Sequence, residues 1–354
     1  VLESNIKNWA VLRQTAMLHI NMLKDNMSDG LMFHTCFNAP LEWATAHDSG
    51  VLIANIIKRD ISEDLSKVFW RHVFNIGGGN KNCITGYDTL NDGFKIIGGG
   101  AKDFFKPYYN ATRNFHGMWF YDGERLDQLF DYQKQTTDVY WQEIAKRYSY
   151  YRLGKIVPKG LISTFAIKRL FKSKNSPAYW FKHNDLAKMV AYFGGEENYK
   201  KLGKDWTKFS LLVENKDEDG KTIDYQNLRK KENAVLIEYY FDIDNYENIT
   251  IKDLQNVAKA HGGQLLSKSY SGDLFEKLKW QTQDGEEFFA CAFTVMKAGH
   301  WFNPIYKENV WDFDRLSRKD KIFAQIWLDS HKEDENNRYF FDENYNARIE
   351  RTEN

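Results

Sequence analysis

The segment Asn38–Trp43 concentrates residue types that can contact a ligand. It places one carboxylate, Glu42, among an amide, a proline that shapes the backbone and an indole. A positioned glutamate can act as a general acid or base, and loops of this composition often contact substrates. Glu42 could equally cap a helix or lie on the surface. Both interpretations of Glu42 stay open at this point.

Two glycine runs, Gly77–Gly79 and Gly98–Gly100, invite comparison with phosphate-binding turns. Neither completes the Gly-x-Gly-x-x-Gly pattern, because Asn82 and Asp103 occupy the last position. A glycine turn can still hold a phosphate where a helix N-terminus points at the anion. The sequence favours a plain turn at Gly77, with the phosphate cradle as the alternative.

Other chemical motifs in the chain carry little weight. The pair Tyr151 and Lys155 matches Tyr-x-x-x-Lys, but about two such pairs are expected by chance in a chain of this composition. The sequence contains no P-loop, Gly-x-Ser-x-Gly, His-Glu-x-x-His or Cys-x-x-Cys motif. The histidines His34, His47 and His116 have no carboxylate or second histidine at ligand spacing, so we expect structural or surface roles for them.

The secondary-structure elements predicted to position these residues alternate between strand and helix. The apolar run 9–12 predicts a buried strand, 31–36 a short extended segment, and 47–58 a helix. A strand is predicted over 67–76, and Thr85 is a suitable cap for a helix that ends near residue 94. Alternation of this kind predicts α/β architecture.

The second half of the chain has helical spacing followed by a mixed module. We predict five parts, with boundaries at composition changes: residues 1–122 as an α/β portion, 123–214 as a helical connector, 215–250 as a linker, 251–341 as a small α+β module, and 342–354 as a disordered tail. The cationic helix predicted at 158–174 could lie on an anionic membrane. Packing against the protein, with its lysines in solvent, is the favoured alternative.

Charge and hydropathy exclude several classes of protein. Lysine plus arginine and aspartate plus glutamate both number 49, which argues against a nucleic-acid partner. No apolar run approaches the roughly 20 residues of a membrane span, so no membrane association is predicted. The three separated cysteines, Cys36, Cys83 and Cys291, fit thiols in a reducing compartment. We therefore expect a cytoplasmic protein, and the sequence is compatible with a homo-oligomer.

The order of three segments resembles the NAD-dependent epimerase/dehydratase family, the extended short-chain dehydrogenases. Residues 9–17 are similar to the family's strand that ends in Leu-Arg, and residues 40–50 to its segment that opens a helix. Residues 73–78 are similar to its late Asn-Ile-Gly strand. The resemblance implies a partial Rossmann-type fold and a chain cut within a domain, because the family's Gly-rich and Tyr-x-x-x-Lys motifs would precede Val1.

The resemblance also implies a site. It assigns Gln14, Thr15 and Ala16 to the wall beside an NAD or NADP nicotinamide, with the cofactor site incomplete in this chain. It assigns substrate contacts to four residues: His19, Asn38, Glu42 and Trp43. The substrate would be a small hydroxyl-bearing metabolite such as a nucleotide sugar. No catalytic residue is assigned within the chain.

Residues 260–301 resemble a zinc-ribbon domain that has lost its ligands. Thr282 stands at the first cysteine position and Glu286 at the histidine position. Because zinc requires four cysteine or histidine ligands, we expect no zinc. The module would instead be held together by apolar side chains: Leu278, Trp280, Phe288, Phe289 and Trp301.

Two functions follow from these observations. The first is the C-terminal portion of an NAD(P)-dependent oxidoreductase or epimerase of the extended short-chain type, inactive alone. The second is a non-catalytic binding or scaffolding protein that uses the ribbon-like module to hold a protein or nucleic-acid partner. The sequence does not decide between epimerase, dehydratase and reductase, because those preferences lie largely in the dinucleotide-binding half.

Overall fold

Four small sheets and their connecting helices make up the chain in this computed structural model. It describes residues 6–26, 30–114, 117–120, 122–214, 249–301, 310–341 and 347–351. The strands are β1 (Ala10–Gln14), β2 (Ala16–Leu18), β3 (Pro40–Thr45), β4 (His72–Ile76), β5 (Cys83–Thr85), β6 (Gln264–Leu265), β7 (Lys277–Gln281), β8 (Glu287–Cys291), β9 (Val310–Trp311), β10 (Asn337–Phe341) and β11 (Ala347–Arg351). The architecture is mixed α/β.

Helices outnumber strands over the described residues. The α-helices are α1 (Met22–Asn26), α2 (Ala46–Ser62), α3 (Gly86–Lys95), α4 (Ala101–Phe104), α5 (Gly123–Phe130), α6 (Thr137–Arg147), α7 (Lys159–Ile162), α8 (Pro177–Lys182), α9 (Leu186–Phe193), α10 (Glu196–Leu202), α11 (Ile251–Ala260), α12 (Phe313–Lys319) and α13 (Lys321–Trp327). None of those in the described part of the chain is long and apolar enough to cross a membrane.

The chain divides into two compact units. The first unit comprises Val1–Leu12, Glu63–Phe74 and Glu232–Asn354, and the second comprises Arg13–Ser62 and Asn75–Lys231. Each unit is therefore assembled from separated stretches of sequence. The predicted domain boundary at residue 122 falls inside the second unit.

Strands β1 and β4 form a parallel pair. At their beginnings the Arg71 amide donates to the Trp9 carbonyl at 2.5 Å, and at their ends the Thr15 amide donates to the Ile76 carbonyl at 3.1 Å. Parallel neighbours require a long crossover, usually a helix. The crossover here contains α2, which confirms the α/β prediction at the level of fold class. Strand β1 is only partly buried, however, since Val11 is exposed.

The second unit contains the sheet β2-β3-β5. Strand β2 lies parallel to β3, with Ala16 opposite Trp43, and β5 lies antiparallel to β3, with Glu42 opposite Cys83. Every residue of β3 is buried. The prediction of a substrate-facing loop over Asn38–Trp43 is therefore wrong from Pro40 onward, because the proline occupies the first position of a strand.

Helices α2 and α3 follow the strands as the apolar spacing predicts. Helix α2 covers the predicted range 47–58 and continues to Ser62. Helix α3 begins after Thr85, whose hydroxyl accepts from the Asp88 amide at 3.1 Å while the Asp88 carboxylate accepts from the Thr85 amide at 3.0 Å. This reciprocal pair satisfies two amides that a helix start leaves without partners.

An aromatic core supports the rest of the second unit. Phe33, Phe37, Phe104 and Phe105 are fully buried in it. The extended segment predicted at 31–36 is wrong, because Gly30–His34 forms a 3₁₀ helix whose turn directs Met32 and Phe33 into this core.

The first unit contains the ribbon-like module, with α11 beside the antiparallel sheet β6-β7-β8. Leu278 and Trp280 are fully buried, and Phe288 and Trp301 pack against the same core. Phe289, however, is 61% exposed. Its assignment to the core is wrong, because consecutive residues of a strand point to opposite faces.

The prediction of a disordered tail over 342–354 is wrong for residues 347–351, which form strand β11. It pairs antiparallel with β10, for example through Ala347 opposite Phe341. Backbone hydrogen bonding provides this order, which the polar sequence did not reveal. Most of the predicted linker, residues 215–248, lies outside the described residues.

Candidate functional site

The Glu42 side chain lies inside the second unit and is 2% exposed. Its carboxylate accepts hydrogen bonds from the Phe120 amide at 2.8 Å and from the Gly79 amide at 3.2 Å. Burial raises the pKa of Glu42 above its usual value, although the amides of Phe120, Gly79 and Gly78 oppose the change. The nearby Asp122 raises the pKa further.

The glycine turn that follows β4 is shaped around this carboxylate. A Cβ atom on Gly77 would lie 1.9 Å from Glu42 Oε1, and a Cβ on Gly78 would lie 1.9 Å from the Trp43 carbonyl oxygen. Gly79 has a φ of 80°, which favours glycine. The turn therefore has the geometry of an anion-binding turn, and the group that occupies it is the carboxyl of the protein's own Glu42.

The chain after α5 closes over the same turn. The Tyr132 hydroxyl donates to the Gly77 carbonyl at 2.7 Å, and Gln133 Nε2 donates to the same carbonyl at 3.2 Å. Burial raises the pKa of Tyr132 to about 12. Tyr132 therefore remains a neutral donor at physiological pH, and this network fixes the turn.

The first turn of α2 carries a second buried carboxylate. Asp48 is fully buried, and its Oδ2 atom accepts from the Lys134 and Gln135 amides at 3.0 Å each. Its own amide donates to Thr45 Oγ1 at 3.1 Å. Asp48 thus joins the start of α2 to the segment that precedes α6.

An open cavity of about 560 Å³ lies beside this junction. It is lined by Leu18, Ile20, Ala46, His47, Gln135, Tyr140, Glu143, Ile144, Lys146 and Arg147. Leu18 is the last residue of β2, and Ala46 directly follows β3 and begins α2. The cavity therefore lies at the carboxyl ends of two parallel strands, where ligands bind in open α/β sheets.

The charges around the cavity are unequal. Lys146 and Arg147 contribute two exposed cations, and Glu143 contributes one carboxylate, which accepts from Gln135 Nε2 at 2.8 Å. The N-terminus of the 17-residue helix α2 also faces this side, but its partial positive charge is opposed by the Asp48 carboxyl group in its first turn. The walls formed by Leu18 and Ile144 are apolar, so the cavity suits a ligand with an anionic group and an apolar part.

The three residues assigned to the nicotinamide wall lie together at the end of β1. Thr15 uses both of its donors within the protein: its amide donates to the Ile76 carbonyl, and its hydroxyl donates to the Glu42 carbonyl at 2.8 Å. Ala16 begins β2. Gln14 is exposed, and its Oε1 atom accepts from the Ser49 hydroxyl at 3.4 Å. Gln14 alone of the three presents a polar side chain that a ligand could reach.

The assigned substrate residues separate in space. Asn38 links to another segment, where its Nδ2 donates to the Ser210 carbonyl at 3.0 Å and its Oδ1 accepts from the Leu212 amide at 3.0 Å. Trp43 is in the core and donates to Thr89 Oγ1 at 2.9 Å.

Of the residues assigned to substrate contacts, His19 is a direct sequence neighbour of residues that line the cavity. It lies between the lining residues Leu18 and Ile20, and its carbonyl accepts from the Tyr140 hydroxyl at 2.9 Å. Burial raises the pKa of Tyr140, so this hydroxyl keeps its proton.

The other histidines noted in the sequence differ in their surroundings. His34 Nε2 lies 2.7 Å from the Asn175 carbonyl oxygen, which fits a structural role. His47 lines the cavity, and its Nδ1 atom lies 3.0 Å from Asp48 Oδ1. His116 lies outside the described residues.

The sequence did not single out the charged residues of α6 that line the cavity. Glu143 and Arg147 are one helical turn apart, and Lys146 lies beside them. A charged stripe at that spacing is also what an ordinary solvent-facing helix shows. Only the position of α6 beside β2 shows that these residues line a cavity and do not simply face solvent.

The described residues do not fit a dinucleotide at the glycine turn. The Gly79 amide, which would bind a phosphate oxygen, already donates to Glu42.

The described part of the chain also contains no group of three or more His, Cys, Asp or Glu side chains that could hold a metal ion. A scan against protein-family models, a search of curated proteins and a search of solved structures each found no match.

Proposed function

We propose that the second unit binds a small anionic metabolite in the 560 Å³ cavity. In this proposal it is the substrate side of an NAD(P)-dependent oxidoreductase or epimerase of the extended short-chain type. The observation that carries the proposal is the location of a cavity with two exposed cations, Lys146 and Arg147, at the carboxyl ends of β2 and β3. The parallel pair β1 and β4, with α2 in its crossover, supports the same proposal at the level of fold class.

The chain would supply binding and orientation, and it would not transfer hydride alone. Arg147 and Lys146 would hold the anionic group, because a guanidinium or ammonium forms charge-assisted hydrogen bonds with phosphate or carboxylate oxygens. Leu18 and Ile144 would contact the apolar part of the ligand. Gln14 lies outside the cavity lining, so it would contact the reacting end of a ligand that extends beyond the cavity toward the end of β1.

Binding of uridine diphosphate glucose tests the ligand class directly. Calorimetry and thermal shift on the intact chain should show binding to the native protein, and Arg147→Gln should weaken that binding about tenfold or more. Lys81→Gln, which removes an exposed cation outside the cavity, is the matched control and should bind like the native chain.

Two results would overturn this proposal. One is the absence of any thermal shift with uridine diphosphate glucose, uridine diphosphate or inorganic pyrophosphate. The other is an equal loss of affinity in Arg147→Gln and Lys81→Gln, which would indicate general charge attraction. The scaffolding alternative predicts the first result.

A further inference from the structure

Residues 148–174, here called the basic segment, differ in charge from the rest of the chain. The segment contains seven lysines and arginines and no aspartate or glutamate, whereas the whole chain is electrically balanced. All seven of these cations are exposed: Arg152, Lys155, Lys159, Lys168, Arg169, Lys172 and Lys174. The segment therefore presents a local positive charge that the overall composition hides.

The same segment exposes large apolar side chains. Ile156 is 82% exposed, Phe165 is 70% exposed and Leu153 is 64% exposed. Three others are also exposed: Tyr150, Val157 and Leu161. Single exposed apolar residues are common, but residues 150–165 expose six large apolar side chains in one short stretch of chain, interspersed with cations.

The segment is firmly attached to the second unit. Ile167 and Leu170 are buried in its aromatic core. Ser163 Oγ donates to the Phe104 carbonyl at 3.1 Å, and Lys159 pairs with Asp103 at 2.8 Å. The exposed apolar side chains therefore belong to a folded surface.

We propose that the basic segment binds the surface of an anionic lipid bilayer. Apolar side chains set among cations suit the boundary between headgroups and acyl chains, where the side chains enter the hydrocarbon and the cations meet acidic headgroups. Four of the six exposed apolar side chains are aliphatic and only Tyr150 and Phe165 carry rings, so the surface offers more to hydrocarbon than to a stacking nucleic-acid base. Lipid is therefore favoured over RNA or DNA.

Co-sedimentation of the intact chain with sucrose-loaded vesicles tests this proposal. The chain should bind vesicles of phosphatidylcholine containing about one quarter phosphatidylglycerol and should bind pure phosphatidylcholine much less. Binding should also fall strongly at about 0.5 M salt, because salt screens exposed charges.

Two double variants separate the apolar and electrostatic contributions. Ile156→Ser with Phe165→Ser should reduce binding at least about tenfold. Lys168→Gln with Lys172→Gln should reduce it about fivefold for each cation removed. The matched controls are Ile57→Ser with Ile61→Ser, which replace exposed apolar residues of α2, and Lys58→Gln with Lys81→Gln. Neither control should change binding.

Several results would overturn the proposal. They are a failure to bind anionic vesicles at low salt, equal losses in the segment variants and their controls, or binding to homopolymer RNA in place of vesicles. Dimerisation that Ile156→Ser with Phe165→Ser abolishes, in the absence of vesicle binding, would assign the surface to a second copy of the chain. Circular dichroism should show that all four double variants remain folded, since every substituted side chain is exposed.

Discussion

The Glu42 carboxylate accepts a hydrogen bond from the Gly79 amide across 3.2 Å. This contact joins the buried strand β3 to a glycine turn 37 residues further along the chain. Backbone amides that converge on an anion are usually associated with phosphate binding. In this protein the amides hold the protein's own Glu42 side chain, which does not line the open cavity beside α6.

Replacement of Glu42 should show that its role is structural. Glu42→Ala leaves the amides of Phe120 and Gly79 buried without an acceptor, so we expect a loss of about 3 kcal/mol in the free energy of unfolding. Glu42→Gln retains one carbonyl oxygen and should lose about 1 kcal/mol. Urea denaturation measures both values, and equal losses in the two variants would contradict the assigned hydrogen bonds.

Stability should depend on pH through the same residue. Because burial raises the pKa of folded Glu42, the folded state holds this proton more tightly than the unfolded state. Its contribution to stability is therefore fully present below the ordinary glutamate pKa of about 4.3 and is lost as pH rises through the raised folded value. The free energy of unfolding of the native chain minus that of Glu42→Gln should fall across this range. A constant difference would show that Glu42 titrates normally.

Glycine-to-alanine substitutions test how closely the glycine turn is packed. A Cβ on Gly78 would overlap the Trp43 carbonyl, so Gly78→Ala should destabilise the protein by about 3 kcal/mol. A Cβ added to Gly50, within α2, would meet no atom within 4 Å, so Gly50→Ala should stabilise the protein by about 0.5–1 kcal/mol. Thermal denaturation of the two variants should shift in opposite directions.

The first unit contains a buried pair, His261 and Asp320, and its removal should lower the free energy of unfolding. His261 Nδ1 lies 2.9 Å from Asp320 Oδ2, and Asp320 Oδ1 accepts from the Ile322 amide at 2.9 Å at the start of α13. Asp320→Ala should therefore lose about 3 kcal/mol, from a helix cap and a buried partner together. Asp334→Ala, at an exposed position, is the control and should be nearly neutral.

The pH dependence of this pair has the opposite sign to that of Glu42. Burial favours a higher pKa for Asp320, but His261 and the amides of Phe323 and Ile322 lower it below the usual value. Its stabilisation is present above the ordinary aspartate pKa of about 3.9 and is lost as pH falls through the lowered folded value. The destabilisation caused by Asp320→Asn should diminish in the same acidic range, which denaturation at several pH values would measure.

Thiol reactivity should distinguish the cysteines. Cys36 and Cys83 are buried, and burial together with Glu42 and Glu124 raises the pKa of Cys83 to about 12. Reagents attack the thiolate, so Cys291, which is half-buried, should be labelled first in the native protein. Cys291→Ser should remove the rapid phase of labelling, and a rapid phase that persists would contradict this order.

Local patterns predicted the helices well and the site residues less well. Helix α2 covers the predicted range 47–58, and Thr85 caps α3 as its side-chain chemistry favours. Asn38 and Trp43 are neighbours of Glu42 in sequence, but they bond to Ser210 and Thr89, respectively. Residue type shows that a side chain can donate or accept, whereas the partner depends on segments distant in sequence.

The amino-acid sequence by itself determined the α/β class, the strand that follows Trp9, the capped helices and the acid-free basic segment. These features depend on periodicity, local capping and charge, which act between neighbours in the chain. Only the tertiary structure decided that Glu42 occupies the glycine turn, that α6 lines a cavity, and that Ile156 and Phe165 remain exposed. Those outcomes depend on which surfaces pack together, because burial and hydrogen-bond partners are properties of the folded chain.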